Sequence, residues 1–281
     1  MHRKQPSRDL NRGPCPPVRP SVSISLATYN GAPYLKKQID SILEQVGSNA
    51  EIVVVDDSST DETIRILEEI RDERIRIIRQ ERNRGVVKTF ERAVMEATGD
   101  VIFLCDQDDI WLPEKVETVL RTFAADKAIT LVISNGSLID ATGRSVGREL
   151  YNGDRIPLGF LSNLIKNRYQ GSAMAFRREI LEAALPFPAR ISMHDSWIGL
   201  VNAIVGRAEY IPAKLILYRQ HENNVTARHH GPVHRMVVQR WRLAVGILAR
   251  LGLLLRIRRD MRRQLGVPHY GPVVTHVARK R

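Results

Sequence analysis

Apolar and polar positions in the first half of the chain fall into two alternating kinds of stretch. VSISLA (22–27), EIVVV (51–55), IRIIR (75–79) and VIFLC (101–105) are short apolar-rich runs that read as buried strands. Between them, apolar residues recur at helical spacing. The stripes are Leu35, Ile39, Ile42, Leu43 and Val46, then Ile64, Leu67 and Ile70, then Val87, Phe90, Val94 and Ala97. Ser59 and Glu62 form a capping box ahead of the second helix. Pro113 opens a fourth helix, carrying Val116, Leu120 and Phe123. Four strand–helix units, with strands beginning 29, 24 and 26 residues apart, predict an α/β fold on a mostly parallel, doubly wound sheet. The second half is less regular. LVISN (131–135), GSAMAF (171–176) and KLILYRQH (214–221) read as strands and 195–205 as a short helix, and there is no internal repeat.

Sheets of this kind bind ligands beyond the carboxyl ends of their strands. That rule singles out Thr28–Gly31, Asp56–Asp61 and Asp106–Asp109, all polar and two of them acidic. In Asp106-Gln107-Asp108-Asp109, three carboxylates within four residues repel one another unless a cation joins them. A hard divalent ion, Mg²⁺ or Mn²⁺, commonly sits between one or two carboxylates and phosphate oxygens, which points to a nucleoside diphosphate. The competing reading is an acidic loop that caps the helix at Pro113. Asp56-Asp57 repeats the arrangement one strand earlier, where a carboxylate can accept from a base N–H or from ribose hydroxyls. Here the competing reading is a cap, and Ser59 is expected to fill that role while Asp56 or Asp57 binds. No G-x-G-x-x-G follows the first strand, and the chain lacks G-x-x-x-x-G-K-[ST], C-x-x-C and H-E-x-x-H. These absences count against dehydrogenase, P-loop and zinc chemistry.

The composition, 43% apolar and 26% charged, is that of a globular protein. The net charge of +12 is unevenly placed: residues 228–281 hold 13 Lys and Arg against one acid, Asp260, so the rest is neutral. A neutral body does not grip nucleic acid, and the tail calls for an anionic partner. Two cysteines, Cys15 and Cys105, are too few for a disulfide scaffold and suit a reducing compartment. Residues 1–20 are rich in proline and basic residues and lack an apolar stretch, so they read as a disordered leader, not a secretory signal. The expected division is this leader, a catalytic domain over 21–227 and a basic tail over 228–281. In the tail, Val237, Trp241, Ala244, Leu248, Leu251 and Leu255 recur in steps of three and four, with arginines mostly off the stripe. The apolar stretch Leu243–Leu255 is 13 residues long and broken by Arg250, whereas a spanning helix needs about 20. Residues 235–263 are therefore expected to lie on an anionic membrane surface, with packing on the domain as the alternative. His229, His230 and His234 lack carboxylate neighbours and read as solvated, and Trp111 and Trp197 read as packing residues.

Several pieces recur together in a fixed order: SISLATYNG (23–31), EIVVVDDSSTDET (51–63), NRGVVKTFERAV (83–94), ATGDVIFLCDQDDIW (97–111), Gly171-Ser172, HDSW (194–197) and YRQHENNV (218–225). On these motifs residues 22–225 resemble GT-A glycosyltransferases of family 2. CDQDDIWLP with HDSW and YRQH is most similar to the bacterial rhamnosyltransferase-like branch. The resemblance implies inverting transfer of a sugar from a nucleoside-diphosphate sugar to a hydroxyl of a saccharide or lipid-linked acceptor. It implies a setting in bacterial surface polysaccharide synthesis, on the inner face of the cytoplasmic membrane. The branch implies a deoxythymidine- or uridine-diphosphate donor, with dTDP-rhamnose first. Carried over by motif, Thr28, Tyr29, Asp56 and Asp57 match nucleotide-binding positions and Lys88 a basic position near the donor. Asp106 and Asp108 match the D-x-D pair, Asp108 being the metal contact, and His221 a late histidine that holds metal or diphosphate. Asp195 matches the catalytic base. The family usually writes Glu-Asp there, and this chain has His194 first; its last motif often ends in glycine, where this chain has Thr226-Ala227.

Other readings make different demands. A sugar nucleotidyltransferase should carry a Gly-rich triphosphate loop after the first strand, and ATYNGAPY has one glycine. A non-catalytic, membrane-bound sugar-nucleotide-binding protein would not need intact acids at 56, 57, 106, 108 and 195. Nucleic-acid binding through the tail is allowed by charge and would be steeply salt-dependent. Because every motif lies before residue 226, the catalytic core is expected to survive removal of 232–281.

Overall fold

The computed structural model describes residues 20–222 and 233–265. All but the last residue of the expected leader lies outside them, as do His229 and His230. The four strand–helix units form as the periodicity predicts. They are β1 (Val22–Thr28) with α1 (Leu35–Leu43), β2 (Ala50–Asp56) with α2 (Thr63–Glu69) and β3 (Ile75–Arg79) with α3 (Val86–Glu96). The fourth, β4 (Val101–Asp106), reaches α4 (Lys115–Ala125) through a short strand, β5 (Ile110–Trp111). These four main strands are parallel in the order β3-β2-β1-β4. The central residues of β1, β2 and β4, such as Ile24, Leu26, Val54 and Phe103, are buried, which is why these strands are rich in apolar residues; the edge strand β3 is partly exposed.

The second half extends the same sheet with mixed pairing. It adds β6 (Ile129–Ile139), β7 (Ser145–Glu149), α5 (Phe160–Ile165), a 3-10 turn at Gly171–Ala173, β8 (Met174–Arg177), α6 (Ile180–Ala184), α7 (His194–Val205) and β9 (Arg207–Arg219). β8 is antiparallel to both β4 and β6, β9 runs parallel to β6, and β5 is antiparallel to β9. The full order is β3-β2-β1-β4-β8-β6-β9-β5, with β7 on β6.

The Ser59–Glu62 capping box does not form. α2 starts at Thr63, whose N–H is taken by Asp61 Oδ1 at 3.0 Å. Ser59 instead donates its hydroxyl to Asp56 and accepts the N–H of Asn30 at 2.9 Å, tying the β1 and β2 loops together.

The tail forms α8 (Val233–Leu265), which packs on α5, α6 and α7. The face it buries carries Leu243, Ile247, Leu254, Ile257 and Met261, which join the main core. The stripe expected from the sequence lies on another face: Trp241 is 65% and Leu248 64% exposed, and Val237, Leu251 and Leu255 are exposed with them. Arg250 sits on the packed side. Its guanidinium donates to the carbonyls of Ala184 (2.9 Å) and Pro186, and lies 5.3 Å from the ring centroid of Trp197. Among the described residues, no helix is long and apolar enough to cross a membrane.

Candidate active site

Strand register brings the three polar segments side by side. Thr28 at the end of β1 pairs with Asp56 at the end of β2, and Ala27 pairs with Asp106 at the end of β4. Beyond these ends lies a cleft of about 930 Å³. Its walls include Thr28, Tyr29, Asp57, Asp106, Asp108, Asp195 and His221. The register of β9 against β5 delivers His221, and the first turn of α7 delivers Asp195.

Asp56 and Asp57 divide the work that the sequence left open between them. Asp56 is buried and turned back on its own loop, accepting from the N–H and hydroxyl of Ser59. Asp57 reaches the cleft wall, held by Gln80 Nε2 (2.8 Å) and the N–H groups of Arg84 (2.7 Å) and Gly85 (2.9 Å). Thr28 is also buried, and its hydroxyl donates to Gln107 Oε1 at 2.7 Å. Gln107 further accepts the N–H of Tyr29 at 2.8 Å and donates to its carbonyl at 3.1 Å. This middle residue of the D-Q-D triplet therefore pins the β1 and β4 loops together, and Tyr29 stands 45% exposed at the rim. Lys88 lies in the first turn of α3, outside the cleft wall, paired to the buried Glu91 at 2.5 Å.

The acidic loop is the electrostatic centre. Burial pushes the Asp106 carboxyl well above the usual carboxylate range, and the negative charges of Asp108, Asp109 and Asp195 add to it. Asp109 rises to about 7, first through burial and then through Asp108. Beneath the loop, Lys115 is fully enclosed and faces the charges of Asp109 and Asp106. Its ammonium donates to the Ser172 carbonyl at 2.7 Å and lies 4.2 Å from the Trp111 ring centroid, and burial lowers its pKa to about 7. Arg219 fastens the loop from the other side. Its N–H donates to Asp109 Oδ1 (2.9 Å), its Nε to the Asp108 carbonyl (2.7 Å), and its guanidinium lies over Tyr34 at 4.7 Å. Tyr34 in turn stacks on His221. The sequence reading did not single out Gln107, Lys115 or Arg219, although Gln107 and Arg219 lie inside motifs it quoted.

Asp108 Oδ2 and His221 Nε2 stand 2.8 Å apart. Among the described residues, no cluster of three or more His, Cys, Asp or Glu could hold a metal alone. One carboxylate and one imidazole, with Asp106 nearby, suit a hard cation that takes its remaining oxygens from phosphate and water, not a closed protein cage. Opposite the loop, Asp195 Oδ2 accepts the Gly171 N–H at 3.1 Å and Oδ1 accepts that of Ser196. Burial raises its carboxyl to about 6, and the two N–H donors restrain the rise. At neutral pH it is ionised yet far more basic than an exposed aspartate, which suits it to accept a proton.

Comparison with known proteins agrees with this architecture. The glycosyl transferase family 2 model matches residues 23–185. An uncharacterized glycosyltransferase of Nostoc is 30% identical over 213 residues, 72% of this chain and 66% of that one. The succinoglycan biosynthesis protein ExoO of Rhizobium meliloti is 28% identical over 219 residues, 74% and 63% of the two chains. The chain thus spans just under two thirds of these relatives' length. In fold it is similar to Staphylococcus aureus TarS in complex with UDP-GlcNAc, with a TM-score of 0.66 at 18% identity over 87% of this chain and 73% of that one. It is also similar to a Pyrobaculum calidifontis mannosyltransferase in complex with GDP-Man and Mn²⁺, with a TM-score of 0.58 at 22% identity over 92% and 79%. These two likenesses establish the GT-A fold. With more than half of its length matched by the family model, the chain belongs to glycosyl transferase family 2.

Proposed function

We propose that the cleft transfers a sugar, with inversion, from a nucleoside-diphosphate sugar to a hydroxyl of a saccharide or lipid-linked acceptor. The observation that carries this reading is the convergence of Asp57, the Asp106–Asp108 loop, His221 and Asp195 on one cleft from four separate elements. Asp57 faces the nucleoside side as an acceptor for base or ribose, with Tyr29 at the rim beside it. Thr28 and Asp56 keep that floor in shape through Gln107 and Ser59. Lys88 stands on α3 near the donor side, tied within that helix to Glu91. Asp106, Asp108 and His221 would hold Mg²⁺ or Mn²⁺, which would neutralise charge gathering on the departing diphosphate. The acceptor hydroxyl attacks the anomeric carbon from the opposite side and Asp195 takes its proton as the bond to the diphosphate oxygen breaks.

The D-Q-D-D, HDSW and YRQH motifs support a rhamnosyltransferase-like specificity, with dTDP-rhamnose as the leading donor, within bacterial surface polysaccharide synthesis. One relative, ExoO of Rhizobium meliloti, is a succinoglycan biosynthesis protein. Screening nucleotide-sugars for nucleoside-diphosphate release tests the sugar. A clear preference for a GDP-sugar would refute the rhamnose assignment and leave the reaction class standing.

We assign the catalytic motifs to 21–227, on a core that α8 completes, and membrane association to the exposed face of α8, at the inner face of the cytoplasmic membrane. The exposed Trp241, Leu248 and Leu251 offer apolar area, and flanking arginines add attraction of about 1 kcal/mol per charge near an anionic surface. Trp241→Glu combined with Leu248→Glu should abolish co-sedimentation with phosphatidylglycerol vesicles and leave the melting temperature unchanged. Wild-type protein that ignores such vesicles would contradict this.

A further inference from the structure

His194 opens α7 and is almost completely buried, yet among the described residues neither ring nitrogen has a hydrogen-bond partner. Its ring stacks on Phe90, centroids 3.8 Å apart and planes at 19°, which fixes its orientation. It lines the cleft beside Asp195 and Gly171. A Cβ at position 171 would lie 3.1 Å from His194 Nε2, so glycine at that position spares this nitrogen a close contact. Burial lowers the imidazole pKa to about 3, so the ring is neutral, with one nitrogen donating and the other accepting.

Buried polar atoms in folded proteins are nearly always paired, and an orphan calls for a partner that arrives later. A hydroxyl, which both donates and accepts, matches a neutral imidazole. A carboxylate in the same place would only accept, and would add a charge next to Asp195. His194 Nε2 and the Asp195 carboxylate both adjoin Gly171, so the imidazole sits beside the base. His194 faces Phe90 on α3, whose N-terminal Gly85 holds Asp57. That is the donor side of the cleft.

We propose that His194 hydrogen-bonds a hydroxyl of the sugar being transferred and so helps select the donor. This rests on the glycosyl-transfer reading of the cleft. His194→Phe keeps the ring volume and the stack and removes both nitrogens; His194→Gln keeps a donor and an acceptor. The measurement is the affinity of UDP against UDP-N-acetylglucosamine, dTDP against dTDP-rhamnose, and GDP against GDP-mannose. In the pair the wild type binds, the Phe variant should bind the free nucleotide normally and bind the nucleotide-sugar about tenfold more weakly. The Gln variant should recover most of that loss. The apo Phe variant should melt at or above the wild-type temperature, because it buries no unpaired polar atom. A Phe variant with unchanged nucleotide-sugar affinity would overturn the proposal. So would one that melts lower and loses the nucleotide as well, since His194 would then be part of the fold. Wild-type protein that binds none of the nucleotides would remove the underlying reading instead.

Discussion

Asp195→Asn is expected to lower the transfer rate about 10²- to 10⁴-fold, the range of a positioned general base, with nucleoside-diphosphate affinity retained. The carboxylate is enclosed at the first turn of α7, and the amide keeps its shape without its basicity. The pH profile carries the same signature. With the carboxyl raised by burial to about 6, its base form is lost as pH falls through that value. Wild-type kcat/KM should therefore rise with pH through about 6 and level off above it, and the Asn variant should lose that limb. Near wild-type turnover in the variant would make Asp195 structural.

Removing the chain from residue 233 onward is expected to give an insoluble or unfolded protein, the reverse of what motif positions alone suggest. α8 buries Leu243, Ile247, Leu254, Ile257 and Met261 in the main core. At about 1.5–3 kcal/mol for each buried side chain, their combined burial is comparable to a typical domain's entire net stability. Truncation would also strip Arg250 from Trp197, whose indole anchors α7 to the Ala184 carbonyl at 2.8 Å, three residues from His194. Leu254→Ala in the full chain should cost about 2–5 kcal/mol in a denaturant melt. A truncated protein that melts cooperatively would restore the view of the tail as a detachable appendage.

That reversal shows where the sequence stops being legible. Val237, Trp241, Leu248, Leu251 and Leu255 are the regular stripe, and the fold leaves them exposed. The packed face was hidden because Gly246 and Arg250 interrupt it. Glycine lets α8 approach Trp197, where a Cβ would sit 3.1 Å from the ring, and the Arg250 charge is taken up by the carbonyls at and just beyond the end of α6. The parallel half of the sheet was readable because its strands are short, apolar-rich runs separated by helices with regular apolar stripes. In the mixed half β6, β8, β9 and α7 were readable as elements, but β7, exposed along most of its length, and the antiparallel pairing of β8 were not. At the site, the acids announced themselves by charge. The residues that hold them did not: Lys115 opens an ordinary helix, and Arg219 grips a loop distant in sequence through its own backbone N–H to Asp109 and its side chain to the Asp108 carbonyl. Asp56 and Asp57 look alike in sequence, and only the loop conformation gives one to Ser59 and the other to the cleft.

The central claim, a cleft built for a nucleoside diphosphate and a divalent cation, is tested most directly by thermal shift of the full chain with UDP, dTDP and GDP, each with and without Mn²⁺. A ligand at about 100 times its Kd stabilises by about 2.7 kcal/mol, a rise of roughly 5–10 °C for a protein of this size. The account predicts such a rise with one nucleotide and Mn²⁺ together, a much smaller one without Mn²⁺, and none in Asp108→Ala. No shift with any nucleotide, or an equal shift in Asp108→Ala, would contradict it.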